Sequence, residues 1–166
     1  IFIVIFIGLI LIPFSFAQDN TTEVLSEDSS HIGVYFDASA VDDSGDGSKE
    51  NPYKYLTKSR IKDNSNIYLN DGVYELDSSK TISSYNAFIG KSMENTIITY
   101  HNTGNLFSNN GVLILNNLTI KAASIYNTKD LTADNVIFRD SYSDYGGSIY
   151  SLPANIKISN SYFINN

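Results

Sequence analysis

Leu113-Ile-Leu-Asn-Asn-Leu-Thr-Ile120 is the stretch that decides the fold, because its pattern recurs twice further along the chain. The second copy is Leu131-Thr-Ala-Asp-Asn-Val-Ile-Phe138 and the third is Ile156-Lys-Ile-Ser-Asn-Ser-Tyr-Phe163. Each copy has an asparagine at its fifth position: Asn117, Asn135 and Asn160. Repetition of this kind predicts a fold built from stacked, similar units.

The first, third and eighth positions are apolar in all three copies, and the sixth is apolar in the first two and serine in the third, Ser161. Side chains alternate between the two faces of a strand, so this pattern changes face at the asparagine. A corner at that residue returns the sixth and eighth side chains to the same interior. Asparagine suits a corner, because it tolerates the left-handed conformation and because stacked amides can hydrogen-bond in a ladder.

The three asparagines are 18 and 25 residues apart, from 117 to 135 and from 135 to 160. At roughly 3.3 Å per strand residue, this spacing corresponds to a circuit of about 60–80 Å, which suits one coil of a parallel β-solenoid. The leucine-rich repeat is the competing solenoid, but its leucine spacing is missing and no helical stretch separates the copies. The extra length of the longer interval falls in residues 139–147, which are rich in turn formers and predict a loop.

The N-terminal residues resemble a secretion signal. Residues 1–12 are almost wholly apolar, and Ser15 and Ala17 stand three and one positions before Gln18, as small residues do at a signal-peptidase site. The run is shorter than the roughly 20 residues that cross a bilayer. We therefore predict a signal peptide over residues 1–17, with an uncleaved N-terminal anchor as the alternative.

Three segments follow from these observations: the signal peptide 1–17, a disordered polar linker 18–31, and a β-domain 32–166. The linker is acidic and has few residues to bury. The chain starts without Met and stops three residues after the third copy, so we expect a fragment that holds the N-terminal part of a longer solenoid. The segment over residues 51–61, which contains Leu56 and Ile61, is expected to form a short helix that caps the first coil.

Composition excludes several classes of function. The chain has no cysteine, so it holds neither disulfides nor a cysteine zinc site. A formal net charge of −7 and a pI near 4.6 argue against nucleic acid and against anionic lipid as partners. Contact with a membrane is expected only through the signal segment or an anchor outside this chain.

Several motifs carry a resemblance to a known superfamily. Tyr35-Phe-Asp37, Asn51-Pro-Tyr53 and Asn66-Ile-Tyr-Leu-Asn-Asp-Gly-Val-Tyr74 resemble the opening of right-handed parallel β-helix proteins of the pectate-lyase-like superfamily. Gly146-Gly-Ser-Ile149 and Phe163-Ile-Asn-Asn166 resemble the repeat motifs of polymorphic outer membrane proteins and of methanogen adhesin-like proteins. The motif residues are Gly146, Gly147, Ser148, Ile149, Phe163 and Asn166. This resemblance implies a long, secreted, surface-attached β-helix.

The same superfamily contains polysaccharide lyases and hydrolases, so catalysis must be considered. The resemblance implies that a lyase would hold calcium carboxylates and a basic residue on one face, and a hydrolase needs two carboxylates at a defined separation. The candidates in the repeats are Asp130, Asp134, Arg139, Asp140 and Asp144. Asp134 is replaced by other turn formers in the other copies, Asn116 and Ser159, which favours a structural role.

Other residues are candidates for binding. Asp42, Asp43 and Asp46 form an oxygen-rich loop that is a weak calcium candidate. The loop lacks the spacing of an EF-hand, and a solvated acidic turn is the favoured interpretation. His31 and His101 have no partner at metal-binding spacing and are expected at the surface. Two tripeptides match the glycosylation pattern, Asn20-Thr-Thr22 and Asn117-Leu-Thr119.

Three tyrosines surround the predicted loop, namely Tyr142, Tyr145 and Tyr150. Tyrosine offers an amphipathic contact surface, and core filling is the alternative role. We predict this loop as the ligand surface of a non-catalytic, secreted cell-surface protein that acts as an adhesin-like stalk or binds extracellular glycans or proteins. A carbohydrate-active enzyme whose catalytic coils lie downstream is the alternative. No cofactor is expected, apart from the calcium candidate.

Overall fold

The computed structural model describes residues 30–101, 104–143 and 146–166, and within these ranges the protein consists of thirteen β-strands without a helix. The prediction of an all-β protein is confirmed. The predicted signal peptide, most of the linker with Asn20, and the residues Asp144 and Tyr145 lie outside the described ranges. None of the described residues belongs to a helix long and apolar enough to span a membrane.

The strands are short, and all of their pairings are parallel. In chain order they are β1 (Ile32–Phe36), β2 (Ser65–Leu69), β3 (Gly72–Glu75), β4 (Lys80–Ile82), β5 (Tyr85–Gly90), β6 (Thr96–Thr99), β7 (Phe107–Asn109), β8 (Val112–Lys121), β9 (Ile125–Asn127), β10 (Asp130–Arg139), β11 (Ile149–Ser151), β12 (Ile156–Ser159) and β13 (Tyr162–Ile164).

The strands stack in three rows, and from β2 onward the chain visits the rows in a fixed order. Row one contains β1, β2, β5, the first halves of β8 and β10, and β12. Row two contains β3, β6, the second halves of β8 and β10, and β13. Row three contains β4, β7, β9 and β11. We call one passage through rows one, two and three a circuit.

The three sequence copies lie side by side in this stack. Leu113 pairs with Leu131, which pairs with Ile156, so the first positions of all three copies form one column. Ile120 pairs with Phe138, and the latter with Phe163, so the eighth positions form another column. Equivalent residues therefore occupy equivalent places in successive circuits.

The core lies between the rows and is filled by the inward side chains of all three. Ile67, Phe88 and Leu115 are register partners in row one, and each is fully buried. Phe88 meets Phe107 of row three with the ring centroids 4.7 Å apart. Burial of such large apolar side chains stabilises the fold by roughly 1.5–3 kcal/mol each.

The segment over residues 51–61 does not form the helix that we predicted. Its backbone pairs with β1 instead: the Tyr53 amide donates to the Tyr35 carbonyl at 3.0 Å, and the Asp37 amide donates to the Tyr53 carbonyl at 2.8 Å. Leu56 and Ile61 are both buried in the core. The two apolar residues thus belong to an irregular segment that packs beside the first strand.

Candidate functional site

The corner asparagines lie between row one and row two. Asn117, Asn135 and Asn160 have φ angles of 55°, 58° and 48°, which is the left-handed region. The Asn135 amide donates to the side-chain oxygen of Asn117, and the Asn117 amide donates to the carbonyls of Gly90 at 3.0 Å and Lys91 at 2.8 Å. The side chains that turn the corner therefore also join successive circuits.

Asn160 takes a different partner. Its amide donates to Asp134 Oδ1 at 2.9 Å, and the Ser159 hydroxyl donates to the same oxygen at 2.7 Å. Asp130 Oδ1 likewise accepts a hydrogen bond from the Asn155 amide at 2.8 Å. Both carboxylates, which the sequence presented as catalytic candidates, bind the next circuit of their own chain.

Arg139 and Asp140 form a surface ion pair, with the guanidinium Nε 3.0 Å from the carboxylate. The hydrogen bond from Arg139, and a further one from Asn165, lower the pKa of the Asp140 carboxyl. Asp140 also has a left-handed φ of 56°, as do Ala122 at 51° and Asn165 at 52°, which precede or follow it by one circuit. This second set of corners, after row two, was missed because its three residue types differ.

The two family-like motifs meet in the structure. Phe163 stacks on Phe138 with the ring centroids 4.8 Å apart. Asn166 donates to the Phe138 carbonyl at 2.9 Å and accepts from the Ser141 amide at 3.0 Å, so one side chain satisfies two backbone groups of the preceding circuit. A β-carbon at Gly147 would lie only 3.1 Å from the Asn166 backbone. The motif residues Phe163, Asn166 and Gly147 therefore make contacts between successive circuits of the stack.

The remaining members of the glycine motif have similar surroundings. Ser148 is buried, and its hydroxyl has no hydrogen-bond partner among the described residues. Ile149 is partly buried and packs against the core. Gly146 has no room for a side chain, because a β-carbon there would lie 2.9 Å from the Ile149 carbonyl oxygen. Residues 146–149 thus form a tight turn and the buried start of the row-three strand that follows it.

A buried amide ladder lies at the end of row three. Asn109 and Asn127 are fully buried, and the Asn109 amide donates to Asn127 Oδ1 at 2.6 Å. Asn127 donates in turn to the Ser151 hydroxyl at 3.1 Å in the next circuit. Sequence reasoning missed this ladder. The only signal was the 18-residue spacing of Phe107-Ser-Asn109 and Ile125-Tyr-Asn127, which equals that of the corner asparagines.

The predicted tyrosine surface is only partly described. Tyr142 is 91% exposed. Tyr150 is half-buried on row three and stacks with its register partner Tyr126, with the ring centroids 5.7 Å apart. Tyr145 lies outside the described residues. Tyr150 thus belongs to an ordered pair with a residue that the sequence reading did not include.

The acidic loop does not assemble the calcium site that was considered. Asp43 forms a bidentate ion pair with Arg60, at 2.8 and 2.9 Å, and this hydrogen bonding lowers the pKa of the Asp43 carboxyl. Asp42 and Asp46 each accept from the backbone amide two residues ahead, Ser44 and Ser48. Across residues 30–101, 104–143 and 146–166, no three acidic or histidine side chains form a metal-binding group. Arg60 therefore already binds the Asp43 carboxylate that a calcium ion in this loop would need.

The histidines and the second glycosylation pattern also have defined surroundings. His31 stacks on Tyr85 with the centroids 3.7 Å apart, and His101 Nδ1 lies 3.1 Å from Glu75. The amide of Asn117 is engaged in the corner, and Thr119 is buried with its hydroxyl donating to the Met93 carbonyl at 2.7 Å. The folded chain therefore does not offer Asn117 to a glycosylating enzyme.

A groove on the outer face of row one was not foreseen. Tyr35 and Tyr68 are register partners on β1 and β2, and their half-buried rings stack with centroids 4.7 Å apart and planes 16° from parallel. The groove beside them has a volume of about 240 Å³. Its walls include Tyr35, Lys49, Pro52, Tyr68, Asn70, Ile89 and Lys91. We call it the tyrosine groove. The two tyrosines are 33 residues apart in sequence, and only the register brings them together.

Comparison with protein-family models, with curated proteins and with solved structures finds no match for this chain.

Proposed function

We propose that the chain folds as a right-handed parallel β-helix of the kind its motifs resemble. Support comes from the fixed order in which the chain visits the three rows, since each complete circuit from β2 onward adds one parallel strand to every row. Parallel strands joined by a crossover are right-handed in about 98% of cases. The left-handed residues at the corners, such as Asn117 and Asn135, allow the sharp turns that a β-helix needs.

We further propose that the protein is a secreted, non-catalytic component of the cell surface, which acts as an adhesin-like stalk or as a binding surface for extracellular glycans or proteins. The observation that carries this proposal is the use of the polar side chains in the repeats. Asp130 and Asp134 accept hydrogen bonds from the next circuit, and Asp140 pairs with Arg139. These carboxylates make structural contacts, which favours a structural role for them over acid-base catalysis. Binding of a ligand on the outer faces is the function that we propose instead.

One experiment separates binding from catalysis. The full chain is incubated with immobilised polysaccharides and extracellular-matrix proteins, and the retained protein and the soluble sugar products are measured in the same samples. We expect retention on at least one surface without release of reducing ends or unsaturated sugars. Release of sugar products would favour the carbohydrate-active enzyme, and retention on none would leave only the stalk.

Secretion needs its own test. A reporter that is active only outside the cytoplasm is fused after Asn166, and residues 1–17 are kept or removed. We expect reporter activity that depends on residues 1–17, because their apolar run and small residues are typical of a signal peptide. Equal activity with and without these residues would contradict the proposed localisation.

A further inference from the structure

The sequence contains a single Asn-Gly pair, and the structure places it in the turn between row three and row one. The pair is Asn110-Gly111, which joins β7 to β8. Asn110 is exposed. Asparagine is chemically labile in this setting, because the backbone nitrogen of the next residue can attack its side-chain carbonyl carbon and glycine has no side chain to hinder the approach. The turn therefore contains the dipeptide that is best suited to deamidation.

Close packing between circuits requires the glycine of this pair. A β-carbon at Gly111 would collide with the Ser84 carbonyl oxygen, which belongs to the turn of the preceding circuit. The same oxygen accepts a hydrogen bond from the Val112 amide at 2.5 Å, so the two turns are held together at this point. The next circuit has a side chain at the equivalent position, Lys129, two residues after Asn127. The stack thus fixes glycine directly after an exposed asparagine.

Hydrogen bonds restrain both of the groups that would react. The Gly111 amide, which is the nucleophile, donates to Asn109 Oδ1 at 3.1 Å. The Thr128 hydroxyl lies 2.8 Å from Asn110 Oδ1 and 2.9 Å from the Asn109 carbonyl oxygen, so its one proton is shared between two acceptors of the turn. Asn109 is itself fixed in the buried amide ladder by its hydrogen bond to Asn127. The ladder therefore holds the glycine amide in a hydrogen bond that must break before the reaction.

We propose that Asn110 is a site of spontaneous deamidation whose rate is controlled by the buried amide ladder of row three. The nitrogen of Gly111 forms a bond to Asn110 Cγ, the bond from Cγ to the amide nitrogen Nδ2 breaks, and Nδ2 leaves as ammonia with the proton that the glycine nitrogen loses. Water then opens the resulting succinimide ring at either of its carbonyl groups. The products are an aspartate or an isoaspartate at position 110, and water is the only co-reactant.

Release of the Gly111 amide is the step that the fold controls. Local opening frees a hydrogen-bonded group for a small fraction of the time, and a slow reaction of the open form proceeds in proportion to that fraction. Two other turns contain Asp-Gly pairs, Asp46-Gly47 and Asp71-Gly72, whose glycine amides donate to backbone carbonyls at 3.1 and 2.8 Å. A carboxylate is a poorer electrophile than an amide, so Asn110 is the position that reacts.

The two products should affect the stack differently. Aspartate adds a negative charge to an exposed turn and leaves the path of the main chain unchanged. Isoaspartate routes the main chain through the side-chain carbons and so adds one atom to the backbone directly before Gly111, where the Ser84 oxygen leaves no space. Chains that carry isoaspartate should therefore have a lower urea midpoint than unmodified chains, because neighbouring circuits must separate at this turn.

The test follows deamidation of the full chain at mildly alkaline pH by peptide mass spectrometry, which locates the conversion of amide to acid and separates aspartyl from isoaspartyl peptides. Thr128→Val removes the hydroxyl that binds the turn with little change of shape. Thr132→Val is its matched control, because Thr132 is also half-buried but lies on the outer face of row one. Asn109→Ser removes the acceptor of the Gly111 amide. Every variant is also measured in urea, where the fold no longer contributes.

In urea we expect Asn110 to be the fastest asparagine of the parent chain, and we expect every variant except Asn110→Gln to share its rate. In the native parent the rate should be lower by about tenfold or more. Thr128→Val should raise the native rate several-fold and Asn109→Ser should raise it further, whereas Thr132→Val should leave it unchanged. Asn110→Gln should abolish the signal, because its longer side chain forms the cyclic intermediate far less readily.

Three results would overturn the proposal. If Asn110 reacted no faster in urea than the other asparagines, it would not be the site. A native rate that is unchanged in both Thr128→Val and Asn109→Ser would exclude control by the ladder. Asn135→Ala should destabilise the fold at a corner of another row, and if it accelerated Asn110 as much as Asn109→Ser does, global unfolding rather than local opening would set the rate.

Discussion

Replacement of Asn135 by alanine or by glycine tests the role of the corner asparagines. Asn135 has a φ of 58° and donates a hydrogen bond to Asn117. Alanine removes the hydrogen bond and must also adopt the left-handed conformation with a β-carbon. Glycine removes the same hydrogen bond but adopts this conformation freely. The two substitutions therefore separate the amide contact from the backbone conformation.

The expected free-energy changes follow from these two contributions. The left-handed conformation costs an ordinary residue about 1–2 kcal/mol, and the lost hydrogen bond is worth about 1 kcal/mol. Asn135→Ala should thus lower the free energy of unfolding by about 2–3 kcal/mol. Asn135→Gly should lower it by about 1–2 kcal/mol, which includes the greater freedom of glycine in the unfolded chain.

Urea unfolding followed by far-UV circular dichroism measures both values. Asn95 is the control position, because it is exposed and is not among the residues with positive φ. There glycine should be the less stable variant by about 0.4–1 kcal/mol, so the order of the two substitutions reverses between the sites. If alanine were as stable as glycine at position 135, the left-handed corner would not contribute and the reasoning would be refuted.

Three further predictions concern packing and charge. Gly90→Ala should destabilise the fold by about 3 kcal/mol, seen as a lower urea midpoint, because its β-carbon would lie 2.2 Å from the Asn117 carbonyl oxygen; wild-type stability would contradict this close packing. The Arg60 hydrogen bond holds the pKa of Asp43 below its ordinary 3.8, so the ion pair stabilises above that pH and is lost as the pH falls through the lowered value. Asp43→Asn should therefore flatten the acid-unfolding profile, and an unchanged profile would exclude the ion pair. Tyr74→Phe should lower the free energy of unfolding by about 1–3 kcal/mol, because the hydroxyl accepts a hydrogen bond from the Ala38 amide and donates its one proton to the Asn70 or the Phe36 carbonyl. Burial raises the pKa of Tyr74 to about 12, so its stabilisation is lost as the pH rises from 10 to 12, and spectrophotometric titration should show that Tyr74 ionises late.

The strands of rows one and two could largely be predicted from the sequence. Their inward positions form the repeated pattern that aligned Leu113 with Leu131 and Ile156, and the structure pairs these residues in that order. Most strands of row three could not be predicted from the sequence. Its strands β4, β7 and β9 have three residues each, and three residues are too few to establish a period of two.

The candidate sites were harder to predict because they depend on contacts between distant segments. The acidic loop was read as a calcium candidate because Arg60, 17 residues beyond Asp43, could not be placed beside it. Tyr35 and Tyr68 gave no signal, since isolated tyrosines are common in strands and only the register makes them neighbours. Local patterns predict elements, whereas a binding surface requires the alignment of whole circuits.

The stacking of equivalent residues has a consequence for how such a chain can grow. Residues 112–129 form one complete passage of 18 residues, with their own corner at Asn117 and their own buried amide at Asn127. Duplicating them would insert one more layer and lengthen the protein by about 4.8 Å, the distance between neighbouring strands. Each layer contacts only the layers above and below it, so the tyrosine groove would stay intact while its distance from the C-terminal strands increased. The length of a protein of this design can therefore change in fixed steps while the tyrosine groove keeps its shape.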